Sequence, residues 1–424
     1  MREWVIGSAF LGGKSVQTVA ATARQSAASC ACHAELAVAD LSSVKSWTVS
    51  WHSAIDEIPR ELFNACFRPP LEGRWWYEAL EKCGIEDQFK FQYAVVLADE
   101  KAVAVVPSFV MNVPMDLVAP EPIAKVLDVI AKVIPGVNYQ KTLFVGSPCA
   151  DEGTVGMLPG VSLSDIMPAL QNALWQKARQ LKMQVIAWKD FPEVDCPHLD
   201  GLVATSGYFK MPSYPGTILQ LPQGNFEKYL QELKQSRRYN LRKKLKRSKL
   251  AAALDYEVIQ KPDADTLGEI FSLFWQTYEH GKTKFERLNL EFFRLISLCE
   301  NSHFVLVRAR DNKKLLAFML CFKVGDRIIN KFIGIDYSAD PQLFLYFRLW
   351  EAAVTWAMSE GAREFQSGQT GYRAKRDVGC SLVPLFNYCR NLNPLMNKIY
   401  GHLSGTVTLS TLDSDLELFE GDDL

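Results

Sequence analysis

Two spacings alternate along this chain. Apolar residues recur at every second position in Trp47–Trp51, the period of a half-buried strand, and Phe91–Ala98 and Lys101–Met111 are apolar runs of strand length. Asp99-Glu100 separates the last two runs and predicts a hairpin. Between the first and second runs the spacing is helical. Pro59 to Phe67 predicts one helix and Gly73 to Lys82 another, with Trp75, Trp76, Ala79 and Leu80 on its inner side and Arg68-Pro69-Pro70 as the break. Leu143–Gly146 is a short strand, Ser164–Leu181 an amphipathic helix, and Gln184–Trp188 the strand after it.

The same grammar returns downstream. Asn225 to Lys249 predicts one long helix, followed by helices over Thr266–His280 and Leu290–Cys299. Three strands follow, His303–Ala309, Leu315–Val324 and Arg327–Ile335, joined by Asp311-Asn312-Lys313 and Gly325-Asp326. A helix over Gln342–Glu360 closes at Gly361, and strands over Arg363–Ser367 and Leu382–Cys389 come last. Helices, an antiparallel meander, a helix and further strands thus occur twice. The pattern predicts an α/β (α+β) chain of two pseudo-twofold units, each a mixed, mostly antiparallel sheet flanked by helices.

The expected boundaries are a poorly ordered extension at 1–45, domains at 46–215 and 216–400, and an acidic tail at 401–424. From Thr411 that tail has six acids and no base, which predicts a solvated, mobile segment. At 48% hydrophobic and 22% charged residues, composition excludes disordered, collagen-like and coiled-coil chains. No run of 18 apolar residues occurs, so no membrane-spanning helix is expected. Residues 1–45 do not read as a secretory signal. Ten cysteines without a CxxC pair predict reduced thiols in a cytoplasmic protein, and Cys30-Ala31-Cys32-His33 lacks the second ligand cluster that a metal site needs. No metal cofactor is expected.

Net charge is only −1, so electrostatic recognition must come from a local patch. One is present: nine of the 16 residues from Lys234 to Lys249 are basic and none is acidic. On one continuous helix, Phe226, Tyr229, Leu230 and Leu233 share a face that continues through Arg237, Asn240 and Lys244, while Leu241 and Leu245 drift to the side. An apolar stripe that becomes Arg-Asn-Lys predicts contact with a polar ligand or cleft. A solvated helix end is the plainer reading for Lys243, Lys246 and Arg247.

The run Tyr229-Leu-x-x-Leu, then Arg238-x-Asn240-Leu-Arg242-x-Lys244, resembles proteins grouped with the FemAB peptidoglycan transferases and the cellulose-biosynthesis (BcsL/CelD-type) acyltransferases. Upstream, Ile186-Ala-Trp-Lys-Asp-Phe191 and Gly207-Tyr-Phe-Lys-Met-Pro-Ser213 are similar to that group's inter-domain segment. Downstream, Phe332-Ile-Gly-Ile-Asp336 and Gly368-Gln-Thr-Gly-Tyr372-Arg-Ala-Lys375-Arg-Asp-Val-Gly379 resemble its closing region. The resemblance covers roughly residues 47–395 and rests on the order of the motifs more than on any one of them. It implies two tandem GNAT-like domains, the first degenerate and the second holding the donor.

Acyl transfer on such a fold needs a groove for the donor, N–H groups for the developing oxyanion, and a base for the amine proton. Asp336, ending the strand before the 336–342 loop, is a candidate base or polar positioner. Tyr372 and Lys375 are candidates because they match the family's closing segment, where the resemblance implies a lysine near the active site. Arg237, Asn240, Arg242 and Lys244, with Arg238, are candidates to hold donor phosphates. The glycine-rich acetyl-CoA loop of GNAT enzymes is absent at 336–342.

Three functions stay open on these residues. The first is an N-acyltransferase moving an acyl group from acyl-CoA, acetyl-CoA by preference, to an amine on a small molecule, sugar or cell-envelope precursor. The second is a Fem-type transferase using aminoacyl-tRNA. The third is a non-catalytic module that binds nucleic acid or anionic head groups through 234–249.

Overall fold

The computed structural model describes residues 44, 46–114, 139–281 and 287–419. Residues 1–43, including Cys30, Cys32 and His33, lie outside the described residues, as does the end of the tail after 419. In chain order the strands are β1 (Trp47–His52), β2 (Lys90–Ala98), β3 (Lys101–Pro114), β4 (Tyr139–Val145), β5 (Gly156–Met157), β6 (Val185–Pro192), β7 (Phe209–Pro212), β8 (Gly216–Gln220), β9 (Leu254–Ile259), β10 (Ser302–Ala309), β11 (Leu315–Val324), β12 (Arg327–Ile335), β13 (Glu364–Gln366), β14 (Ser381–Val383) and β15 (Leu385–Asn391).

They build two sheets with matching plans. The first runs β1-β2-β3-β4-β6-β15-β7, with β5 beside β3; the second runs β9-β10-β11-β12-β13-β8-β14. Each has four antiparallel strands and one parallel step (β4/β6, β12/β13), then two more antiparallel strands. The repeated grammar of the sequence is therefore a repeated topology. The strands next to one edge are exchanged, however. The chain leaves the first sheet after β7 to enter the second as β8, and leaves the second after β14 to return as β15. The single strand expected at 382–389 is thus two strands in two sheets, parted at Pro384.

Alternation along the strands feeds three cores. In β2, Phe91, Tyr93 and Val95 face one core while Ala94, Val96 and Ala98 face another. In β11, Phe318, Leu320 and Phe322 join the same first core as Phe91, while Ala317, Met319 and Cys321 face a third, under the helix Leu345–Ser359. The shared core holds both halves together. Trp76 is fully buried, edge-on to Phe292 and Phe322 at 5.9 and 5.8 Å, as its position in an apolar helix face suggested.

Two expectations are corrected. The basic segment is not one helix. Phe226–Glu232 ends at Leu233 and a second helix covers Gln235–Ala251, with Leu233 and Lys234 both extended. Tertiary contacts account for the break. Tyr229 donates its hydroxyl to the Val378 carbonyl at 2.5 Å, Leu233 lies where a side chain at Gly379 would stand, and Arg238 donates to the carbonyls of Gln231 and Leu233. The break rotates the second helix, so Leu241, Leu245 and Ser248 face the core and Asn240 faces outward. The acidic tail is not free through Phe419. Leu416 and Phe419 pack against Tyr372, and Arg373 pairs with Asp415 at 2.9 Å. The acids alternate there with Leu416, Leu418 and Phe419, which a charge count overlooks.

Candidate functional site

The parallel pair β12/β13 matches Arg327 with Glu364, Ile328 with Phe365 and Ile329 with Gln366, and then parts. β13 ends there, and Gly368 turns the chain with a left-handed φ of 54°. At the parting, Asn330 Nδ2 donates to Ser367 Oγ at 2.9 Å, while Asn330 Oδ1 is enclosed without a partner. On the other edge of β12, Leu320 faces Phe332 and Cys321 faces Asn330, which leaves Lys331 as an unpaired bulge residue. Both sheets belong to one compact unit, and the Lys331 side chain crosses to the first half.

Lys331 is 1% exposed. Its ammonium lies 2.6 Å from Glu72 Oε1, 3.5 Å from Asp151 Oδ1 and 4.8 Å above the Trp76 ring. Burial works against that charge, but Asp151 and Glu72 outweigh it and hold the ammonium protonated. Gln366 Nε2 donates to Asp151 Oδ2 at 3.3 Å, and Arg327 reaches both Gln366 Oε1 at 3.0 Å and Glu364 at 2.8 Å. Asp151 lies so close to Gly368 that a Cβ there would stand 2.8 Å from its Oδ1.

Glu152 is the odd member of this seam. Among the described residues no hydrogen bond or ion pair engages its carboxylate. Burial pushes its carboxyl up to about 7; Arg327 pulls the other way, and Asp151 and Glu72 add to the rise. A half-buried carboxyl that exchanges its proton near neutrality can act as acid or base.

Lys375 stands at the same parting, on the short helix Tyr372–Asp377. Its ammonium donates to the carbonyls of Ser367, of Gly368 at 3.1 Å and of Gln369 at 2.9 Å. Burial lowers it to about 8, with Cys380 and Asp151 opposing. All three of its protons are committed, so it shapes the 367–369 loop. Tyr372 is fully buried and donates to the Pro215 carbonyl at 2.9 Å, which ties that helix to the crossing between the sheets.

The remaining expected residues are dispersed. Asp336 Oδ1 accepts from Ser338 N at 2.9 Å and Oγ at 2.5 Å, and Oδ2 lies 2.7 Å from the Lys314 ammonium. Burial disfavours its charge, but Lys314 and Ser338 prevail and hold the carboxyl below its ordinary range, which makes Asp336 a turn residue and a weak base. Lys244 pairs with Asp377 at 2.7 Å and lies 3.9 Å over the Phe347 ring. Arg242 pairs with Glu227, and Arg237 is half-buried and acts on the Cys380 thiol. Asn240 is exposed, so the apolar-to-polar stripe of the sequence does not form.

Glu72, Asp151, Glu152 and Lys331 escaped the reading of the sequence. Lys331 had a signal: it is the sole charge within Ile328–Ile335, an otherwise apolar strand. Asp151-Glu152 had a weaker one, two acids in a loop that follows a strand.

The 336–342 loop joins β12 to the helix Leu345–Ser359. The loop has no glycine, Asp340 takes the N–H of Gln342, and Phe344 opens the next helix in a left-handed conformation.

Residues 220–399 match the FemAB-like family, described as peptidoglycan biosynthesis/recognition. No curated protein sequence matches the chain. Among solved structures, FemX is similar over 81% of this chain and 98% of its own, at 12% identity and a TM-score of 0.53. L-PGS from Bacillus licheniformis overlaps 80% of this chain and 99% of its own, at 12% identity and a TM-score of 0.49. A tandem GNAT protein from the clavulanic acid biosynthesis pathway overlaps 82% and 99%, at 9% identity and a TM-score of 0.48. Residues 220–399 thus resemble the FemAB-like family, and the two-sheet fold of the chain is similar to that of FemX.

Proposed function

We propose that this protein transfers an activated acyl or aminoacyl group to an amine at the charged seam. The observation that carries this reading is Glu152, an unengaged carboxyl poised to about 7 beside the parting of β12 and β13. An amine attacks a carbonyl carbon only after losing its proton, and a base matched to neutral pH serves that step best. In this reading Glu152 takes the proton as the C–N bond forms and the carrier leaves. Lys331, with Glu72 and Asp151, keeps the surrounding charge fixed, and Lys375 holds the 367–369 loop that borders the reacting atoms.

Two carriers fit the chemistry. Acyl-CoA is the carrier the GNAT resemblance implies, with a small amine, amino sugar or cell-envelope precursor as acceptor. Aminoacyl-tRNA is favoured by two observations: the 336–342 loop has no glycine and carries two acids, Asp336 and Asp340, and Arg237 and Lys244 line the edge of the basic helix that faces Cys380 and Asp377.

Thermal stabilisation separates them. A ligand at 100 times its dissociation constant adds about 2.7 kcal/mol to apparent stability. Acetyl-CoA, longer acyl-CoAs, free CoA and charged tRNA are each added to the wild type and to Arg237→Ala. A shift with an acyl-CoA supports the first carrier, and a shift with charged tRNA alone supports the second. No shift with any of them overturns the transferase reading.

A further inference from the structure

The helix Gln235–Ala251 turns Leu241, Leu245 and Ser248 to the core, and Ser248 Oγ is fastened to the Leu343 carbonyl at 2.5 Å. At 100° per residue, the opposite side of the cylinder carries Tyr239, Lys243, Lys246 and Leu250, all within a sector of about 60°. Tyr239 is 66% exposed and Leu250 79%. Eleven residues separate them, so the stripe is about 16 Å long.

The charges on either side of the stripe are already used. Arg242 pairs with Glu227, Lys249 with Glu351 at 2.7 Å and Lys244 with Asp377 at 2.7 Å, while Arg238 caps the preceding helix and Arg247 lies 5.4 Å over the Phe344 ring. Lys243 and Lys246 have no such partner among the described residues, and the helix contains no acid. The outermost line of a rigidly seated helix is therefore two unpaired ammonium groups between an exposed phenol and an exposed isobutyl group.

We propose that this face docks the protein onto an anionic lipid surface. Lysine ammonium groups are drawn to the negative potential of acidic head groups. Tyrosine is at home where an apolar ring meets water, and leucine gains by entering the acyl boundary. Among the described residues no helix is long and apolar enough to cross a membrane, so contact through this helix is peripheral. RNA fits the stripe less well. Its phosphates favour arginine forks, yet the arginines here are engaged, and a sugar–phosphate backbone leaves Leu250 uncovered.

The test is co-sedimentation of the full-length chain with phosphatidylcholine vesicles, with and without phosphatidylglycerol, at low and high salt. Binding is expected only with phosphatidylglycerol and falls as salt rises. Lys243→Gln/Lys246→Gln is expected to weaken it about thirtyfold, roughly fivefold per lysine. Tyr239→Ser/Leu250→Ser is expected to remove the part that survives high salt. Circular dichroism is expected to be unchanged in both variants, because all four side chains point away from the core. Equal binding to both vesicle types overturns the proposal, as does wild-type binding by the lysine variant. Retention by bulk tRNA without retention by anionic vesicles also overturns it, and assigns the face to nucleic acid.

Discussion

At the scale of the residue, the seam sets charged groups in roles their identities do not announce. Lys331 and Lys375 are both buried lysines, yet one has carboxylate partners and the other only carbonyls. The first is held charged and the second falls to about 8. Glu152 has neither, and its shift has a consequence for stability. Burial lifts it from 4.5 to about 7, so between those values the folded state keeps a proton that the unfolded chain gives up. The stability from that proton is fully present below pH 4.5 and is lost as pH rises through 7, a change of at most about 3 kcal/mol. Glu152→Gln is therefore expected to gain on the wild type as pH rises over this range. Melting temperatures of both proteins against pH measure it, and parallel curves would refute the assignment of that proton to Glu152.

At the scale of the element, the basic segment shows how a break redirects a helix. Extended backbone at Leu233 and Lys234 rotates the second helix so that Leu241 and Leu245 enter the core. Leu245→Ala is expected to cost about 2–5 kcal/mol in chemical denaturation. Asn240→Ala is expected to change stability by less than about 0.5 kcal/mol. A continuous helix would reverse that order, so the pair of variants tests the break directly. The bulge at Lys331 is a second such device. One extra residue in β12 sends a lysine out of an apolar strand and across to Glu72, 259 positions away in the chain.

At the scale of the whole molecule, exchanged strands and a shared core bind the halves. β15 lies between β6 and β7 in the first sheet, so residues 44–215 alone lack an interior strand. Trp76, Phe292 and Phe322 meet from both halves in one core. A fragment of residues 44–215 is accordingly expected to show no cooperative thermal transition, whereas the full chain shows one. A cooperative melt of the fragment would mean that the exchange is dispensable. The same architecture gives the seam its chemistry: Glu72, Asp151 and Glu152 come from one half and Lys331, Gln366 and Lys375 from the other, so neither half holds the site alone.

The sequence by itself determined what neighbours in the chain decide. Apolar runs of strand length marked β2, β3, β10, β11 and β12, a period of 3.6 marked the helices over 164–181 and 266–280, and Asp99-Glu100 and Gly325-Asp326 marked the strand turns. The repeated order of elements foretold two sheets of one plan, and Trp75-Trp76 foretold a helix face turned inward. Tertiary structure decided the rest. No local signal distinguishes Leu233 as a helix end, because its break depends on Val378 and Gly379. Nothing near Pro384 says that the chain changes sheets there. Tyr372 and Lys375 were visible as motif residues, but their partners, Pro215 and the 367–369 carbonyls, were not. A buried charge persists only where a distant partner compensates its lost hydration, so which acid meets which lysine is settled by the fold that brings them together.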